Sequence, residues 1–217
     1  MKHYYKRKLP HIIVDGYAYF VTSRLKDSLP KSVFEILKNE YDNSLRKIST
    51  YNAQDYKAQQ YKQLKSEYFL KYDTALEQYK KSPQWLADEN IAKLVKETLI
   101  YRDDKDYKLI AFTIMPNHIH IVFIPQFEKL TVNSEYNDKY PIGGLMGSIK
   151  KYIALNANKI LNRRGSFWQD ENYDHVIRNS NELSKVVKYV LQNPVKAGLA
   201  ETPDKFKWNY INPNYIK

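Results

Sequence analysis

Two stretches of this chain carry residue types that can do chemistry together. The first is Met115-Pro116-Asn117-His118-Ile119-His120-Ile121-Val122-Phe123-Ile124-Pro125. A proline-containing turn opens into a β-branched run that a second proline closes, which is the pattern of one short strand. Alternation along a strand turns His118 and His120 to the same side, about 6–7 Å apart at Cβ. Two imidazoles at that separation can reach one metal ion. The plainer alternative is a pair of half-buried histidines on a sheet. The chain has five histidines, and two of them on one strand face favour the metal.

The second stretch holds Tyr189 and Asn193. A metal on a basic protein suits phosphodiester chemistry, with the ion as a Lewis acid on a phosphate oxygen, and some nucleophile must then attack phosphorus. With no cysteine, the candidates are water, serine, threonine or one of 20 tyrosines. Tyr189 lies four residues before Asn193, so on a helix the two share a face one turn apart. That face offers a phenol nucleophile and a neutral oxygen ligand to one ion. Tyr173, with His175 close by, is the rival. A core position for Tyr189 beside Val186 and Val190 is equally consistent with the spacing, which leaves these alternatives open.

The elements that must position these groups are legible in outline. Residues 17–25 read as a strand between Gly16 and Asp27-Ser28. Pro30 stands at a helix start, with Phe34, Leu37, Tyr41 and Leu45 at helical spacing. From 51 to 81 the sequence is rich in Lys, Gln and Tyr, and Tyr61, Leu64, Tyr68, Tyr72, Leu76 and Tyr79 recur at three- or four-residue steps. This predicts a second helix and a helical hairpin with the first. Its aromatic stripe serves either a nucleic-acid surface or, more simply, the hairpin's own core. A helix over 90–101, a strand over 107–114 paired antiparallel to the histidine strand, a polar loop over 126–141 and a helix over 142–161 follow. Lys150, Lys151, Arg163 and Arg164 crowd the second half and exit of that last helix, a phosphate-contacting surface or a solvated charged face. Residues 166–178 show no clear period. A final helix over 183–192 ends at Asn193-Pro194, and a tail with Trp208 and Tyr210 packs back on the body.

Composition narrows the partners. The 217 residues carry 35 Lys and Arg against 24 Asp and Glu, a formal charge of +11, which points to a polyanion. Lysines interleaved with tyrosines suit single-stranded nucleic acid, where bases stack and phosphates need neutralising. No run of 18 apolar residues indicates a membrane span. The basic start (Lys6, Arg7 and Lys8 in a basic arm) lacks the apolar stretch of a signal peptide. Zero cysteines exclude disulfides and thiolate metal sites and fit a cytoplasmic location.

The blocks are familiar in combination. Met115-Pro116-Asn117-His118-Ile119-His120 resembles the histidine–hydrophobic–histidine motif of single-tyrosine HUH transposases. Phe167-Trp168-Gln169, Tyr173-Asp174-His175-Val176-Ile177-Arg178 and Tyr189-Val190-Leu191-Gln192-Asn193-Pro194-Val195-Lys196-Ala197-Gly198-Leu199 resemble the REP-associated tyrosine transposase branch. Leu9-Pro10-His11 and Tyr19-Phe20-Val21-Thr22-Ser23-Arg24-Leu25 are similar to that branch too. The resemblance covers most of the chain and is thinnest over 51–82. It implies an α+β fold, an antiparallel sheet with helices packed on one face, in a single domain over 1–217 with a helical insertion at about 31–82.

The resemblance also implies Mg²⁺ or Mn²⁺ held by His118 and His120 with a third ligand, Asn193, from the tyrosine helix. It breaks the tie in favour of Tyr189 as nucleophile and leaves Tyr173 and His175 as possible accessory groups. The implied activity is cleavage and rejoining of single-stranded or hairpin DNA through a 5′-phosphotyrosine intermediate, by a protein expected to act as a monomer, with a dimer the alternative. Lys6, Arg7, Lys8, Lys150, Lys151, Arg163, Arg164 and Arg178 are the candidate DNA contacts. The competing expectations are a domesticated hairpin-binding protein without strand transfer and a metal-dependent nuclease that uses water.

Overall fold

A computed structural model describes residues 3–6, 10–13, 16–79, 81–132 and 141–215. Its elements in chain order begin with β1 (His3–Lys6), β2 (Pro10–Ile13) and β3 (Ala18–Arg24), then α1 (Lys31–Ser49) and α2 (Gln54–Gln78). After these come α3 (Glu89–Tyr101), β4 (Tyr107–Ile114), β5 (His118–Pro125), α4 (Phe127–Val132) and α5 (Pro141–Ile160). The chain closes with β6 (Tyr173–Ile177), α6 (Ser180–Lys196) and β7 (Asn209–Ile211). By contact it divides into two compact units, residues 27–83 and the remainder.

In the larger unit five strands form one antiparallel sheet in the order β6-β3-β5-β4-β7, so the fold is α+β with the histidine strand at the centre. Alternation sorts the sheet's side chains. Tyr19, Val21 and Leu25, with Ile119, Ile121 and Phe123, join Ile91, Val95 and Leu99 of α3 and Leu145, Met146, Ile149 and Ile153 of α5 in one buried core. Tyr107 packs on Phe123 with ring centroids 5.1 Å apart, and its hydroxyl donates to the Leu99 carbonyl at 2.7 Å. That bond lets a tyrosine occupy the core without an unpaired polar group. The opposite face carries Phe20, Thr22, His118 and His120, and α6 lies over it, against β4 and β5. Covered on both faces, β5 reads as a near-continuous apolar run in which the two histidines are the exceptions.

In the smaller unit α1 and α2 form the expected hairpin. Tyr41 meets Tyr68 at 4.7 Å and Tyr68 meets Tyr72 at 6.2 Å, while Glu40 bonds Lys71 at 2.8 Å. The aromatic stripe thus serves the helix pair's own packing.

Four features depart from the sequence reading. The basic arm contains a two-stranded antiparallel pair, β1 with β2, in which Lys6 lies opposite Pro10. Arg7 and Lys8 lie outside the described residues. The polar loop begins with the helix α4. Residues 173–177 form the edge strand β6, paired with β3 from Ala18↔Ile177 to Thr22↔Tyr173. And α6 does not stop before Asn193: it runs through Pro194 to Lys196. A proline in the last turn forfeits a single helical N–H. The true stop is Gly198, at φ +71, with Gly198 N–H bonded to Val195 O and Leu199 N–H to Pro194 O. That is the paired Schellman closure, which favours glycine at the left-handed position.

Candidate active site

The turn before β5 is fixed from three sides. Met115 N–H bonds the His118 carbonyl at 2.9 Å, Leu25 N–H the Asn117 carbonyl at 2.8 Å, and Leu86 N–H the Pro116 carbonyl at 3.1 Å. The strand therefore leaves the turn in a set register, with His120 between Thr22 of β3 and Thr113 of β4, and His118 opposite Arg24.

Both histidines are fully buried. Their Nε2 atoms face each other at 3.2 Å. On the far side of each ring, His118 Nδ1 meets Asn117 Oδ1 at 2.7 Å and His120 Nδ1 meets Thr22 Oγ1 at 2.8 Å. An amide oxygen can only accept, so His118 carries a proton on Nδ1, and in the neutral ring Nε2 is then a lone pair. The Thr22 hydroxyl can donate or accept, and it holds His120 in the same arrangement when the ring carries its proton on Nδ1. Two nitrogens bound to one ion at about 2.1 Å and near a right angle stand about 3 Å apart. The donor set and spacing fit a divalent metal, and the oxygens behind the rings are the outer partners that orient metal-binding histidines.

The helix α6 brings the phenol. Asn179 caps it by accepting from Glu182 N–H at 2.9 Å, and Glu182 reaches back to accept from Arg178 N–H at 2.9 Å, close to a reciprocal capping box. The other Glu182 oxygen bonds His175 Nε2 at 3.0 Å. From that anchored start Tyr189 arrives half-buried beside the histidines. Its ring centroid is 6.0 Å from that of His120, and its edge meets Phe20 at 6.3 Å. Asn193, one turn further, is fully buried on the same helix. Asn209 of β7 donates to the Leu191 carbonyl at 2.9 Å, tying the turn between Tyr189 and Asn193 to the sheet edge. Tyr173 stands across β3 opposite Thr22, with its ring 6.3 Å from Phe20.

The structure therefore gathers His118, His120 and Tyr189 and leaves several basic candidates elsewhere. Lys150 is a correction. Its ammonium is buried and donates to the Gln169 and Asp170 carbonyls at 2.6 and 2.9 Å and to Asn172 Oδ1 at 3.1 Å, so it is no part of a free phosphate-contacting surface. The helix phase explains this, because Lys150 falls on the arc of Ile149, Ile153 and Ala157. Arg163 is also occupied: it stacks over Trp85 at 3.8 Å and bonds Asn158 Oδ1 at 2.7 Å. Lys151, Arg164 and Arg178 are exposed, and Lys6 lies in β1.

Burial pushes the Lys150 ammonium down to about 8 from its usual 10.5, with Arg24 adding to the effect and Asp170 opposing it. Between those values the unfolded chain holds a proton that the folded chain has released. Stability therefore rises as pH climbs from 8 toward 10.5, and the cost of burying the charge is fully present below 8. Denaturant unfolding of the wild type at pH 7.5 and pH 10, each measured against Lys150→Met, should show a relative gain of about 2 kcal/mol at the higher pH. Equal differences at both pH values would refute the assignment.

Thr22, the Asn117 side chain and Phe20 lie inside the motif blocks but were given no role there, and Asn209 lies outside them. The signal for Thr22 was available, since Phe20, Thr22 and Arg24 alternate along a strand whose other face is apolar.

No family model matches the chain. A curated protein of Haemophilus influenzae (strain ATCC 51907 / DSM 11121 / KW20 / Rd), described as "Putative REP-associated tyrosine transposase", is 24% identical over 102 residues, 44% of this chain. The match spans about half of that relative's own length, 53%. Among solved structures, a REP-associated tyrosine transposase bound to a REP hairpin aligns with 94% of this chain and 80% of its own, at 14% identity and a TM-score of 0.49. The chain is thus similar in sequence to a REP-associated tyrosine transposase, the branch its motifs resemble. No helix among the described residues is long and apolar enough to cross a membrane.

Proposed function

We propose that this chain is a metal-dependent single-stranded DNA transesterase of the tyrosine transposase type, with Tyr189 as nucleophile. The observation that carries the reading is the pair of Nε2 atoms 3.2 Å apart, each ring held from behind, with a helix-borne phenol against one of them. The sequence match to a REP-associated tyrosine transposase supports the same reaction class, and hairpin-bearing single strands are the substrate that class implies.

His118 and His120 would hold Mg²⁺ or Mn²⁺, with Asn193 as the third protein ligand. When bound, the ion supplies Lewis-acid polarisation of a phosphate oxygen. Asn117 and Thr22 keep both rings in the tautomer that presents Nε2. Phe20 and His120 limit the swing of the Tyr189 ring. The phenol oxygen attacks the scissile phosphorus, the Oη–P bond forms as the P–O3′ bond breaks, and the DNA leaves a 3′-hydroxyl. The reverse attack by a 3′-hydroxyl rejoins DNA without an external energy source. Exposed Lys151, Arg164 and Arg178, together with Lys6, Arg7 and Lys8, are the proposed contacts to the DNA backbone.

The test is incubation with end-labelled hairpin single-stranded DNA and Mn²⁺, resolved under denaturing conditions. The expected result is a covalent protein–DNA adduct that a chelator prevents. Cleavage without an adduct would assign the site to a nuclease using water. Binding without cleavage would assign it to a hairpin-binding protein.

A further inference from the structure

Resting on that reading, we propose that Lys196 is the cation that grips the scissile phosphate beside the Tyr189 phenol. Its ammonium stands 4.6 Å from the centre of the Tyr189 ring. The two residues are seven apart on α6, so they share one face two turns along. Lys196 is exposed and Tyr189 half-buried, which leaves both open to a strand arriving from solvent. The single acid of α6, Glu182, is committed to His175 and to Arg178 N–H at the other end of the helix, and Lys196 forms no ion pair among the described residues.

A solvent-exposed ammonium resting on a half-buried ring gains only about 1 kcal/mol. A charge-assisted bond to a phosphate oxygen is stronger, so the ammonium exchanges one for the other at little cost. In that position it neutralises a non-bridging oxygen while the Tyr189 Oη–P bond forms and the P–O3′ bond breaks. The phenol proton passes to solvent and the departing O3′ takes one from it. A fixed cation placed where negative charge gathers is worth about 10²–10³ in rate. The rival role is a plain one: a basic residue in the last helical turn offsets the helix dipole, worth a few tenths of a kcal/mol in stability and nothing in rate.

Single-turnover adduct formation at saturating hairpin DNA separates the two. In Lys196→Met the rate constant should fall about 100-fold, while hairpin affinity stays within about threefold because one phosphate contact among many is lost. Lys196→Arg should recover most of the rate, and ethylammonium added to Lys196→Met should restore part of it. Lys188→Met, which removes a charge about 80° round the helix from Lys196, should match the wild type. A Lys196→Met rate equal to that of the wild type overturns the inference and leaves the proposed function standing. A wild type that forms no adduct overturns both.

Discussion

Tyr189→Phe should form no covalent adduct, a loss of at least about 1,000-fold, while binding hairpin DNA as tightly as the wild type. The change deletes one oxygen and keeps the ring, so the contacts with Phe20 and His120 persist and the fold has no reason to move. Affinity should hold because it comes from phosphate contacts spread over a basic surface. Tyr173→Phe is the necessary companion. Tyr173 sits across from Thr22 with Phe20 beside it, and its variant should keep the adduct within about tenfold. If Tyr173→Phe abolishes the adduct and Tyr189→Phe keeps it, the nucleophile is misassigned.

Manganese should raise the melting temperature of the wild type and leave those of His118→Ala and His120→Ala unmoved. An ion that binds only the folded chain stabilises it by about 2.7 kcal/mol at 100 times its dissociation constant. Either alanine removes one of two converging nitrogens, so no shift survives, and adduct formation should fall by at least about 100-fold. Thr22→Val tests the oxygen behind His120 separately. Without that acceptor the ring loses its preferred tautomer, and metal affinity should drop about 10–100-fold, read as the same thermal shift reached at higher manganese. A wild-type protein that manganese does not stabilise would exclude His118 and His120 as metal ligands.

The features legible in the sequence were those with a local cause. Pro116 and Pro125 bracket the histidine strand, and period two alone sets His118 and His120 on one face. Three- and four-residue aromatic steps give the hairpin of α1 and α2. One turn of helix puts Tyr189 and Asn193 on a shared face, while the preference for Tyr189 over Tyr173 came from the family resemblance. What escaped had a distant cause or a local signal overruled. The Thr22 partner of His120 is 98 residues away and appears only when β3 and β5 find their register. The strand β6 is an edge whose Tyr173, Asp174 and His175 are half-buried, so it lacks the apolar repeat of an inner strand. Pro194 reads as a stop, yet in a last turn it removes only one donor, and Gly198 does the stopping. Lys150 and Lys151 are indistinguishable as charges; only the phase of α5 sends one inward and the other out.

The wide separation of Thr22, His120 and Tyr189 along the chain has a kinetic consequence. Between β3 and the strands it pairs with lie the two helices of the smaller unit, which close on local contacts, whereas the β3–β5 ladder must bridge some 98 residues. Local helices form in microseconds, and long-range strand pairing is slower by orders of magnitude. The helical hairpin should therefore be native while the central sheet is still open, and His120 gains its outer oxygen from Thr22 only when the ladder zips. On the ribosome, if Tyr189 is the nucleophile as proposed, no adduct can form until residue 189 has emerged and α6 has settled onto a completed sheet. Under the proposed function, DNA cutting would be withheld from every incomplete copy of the chain.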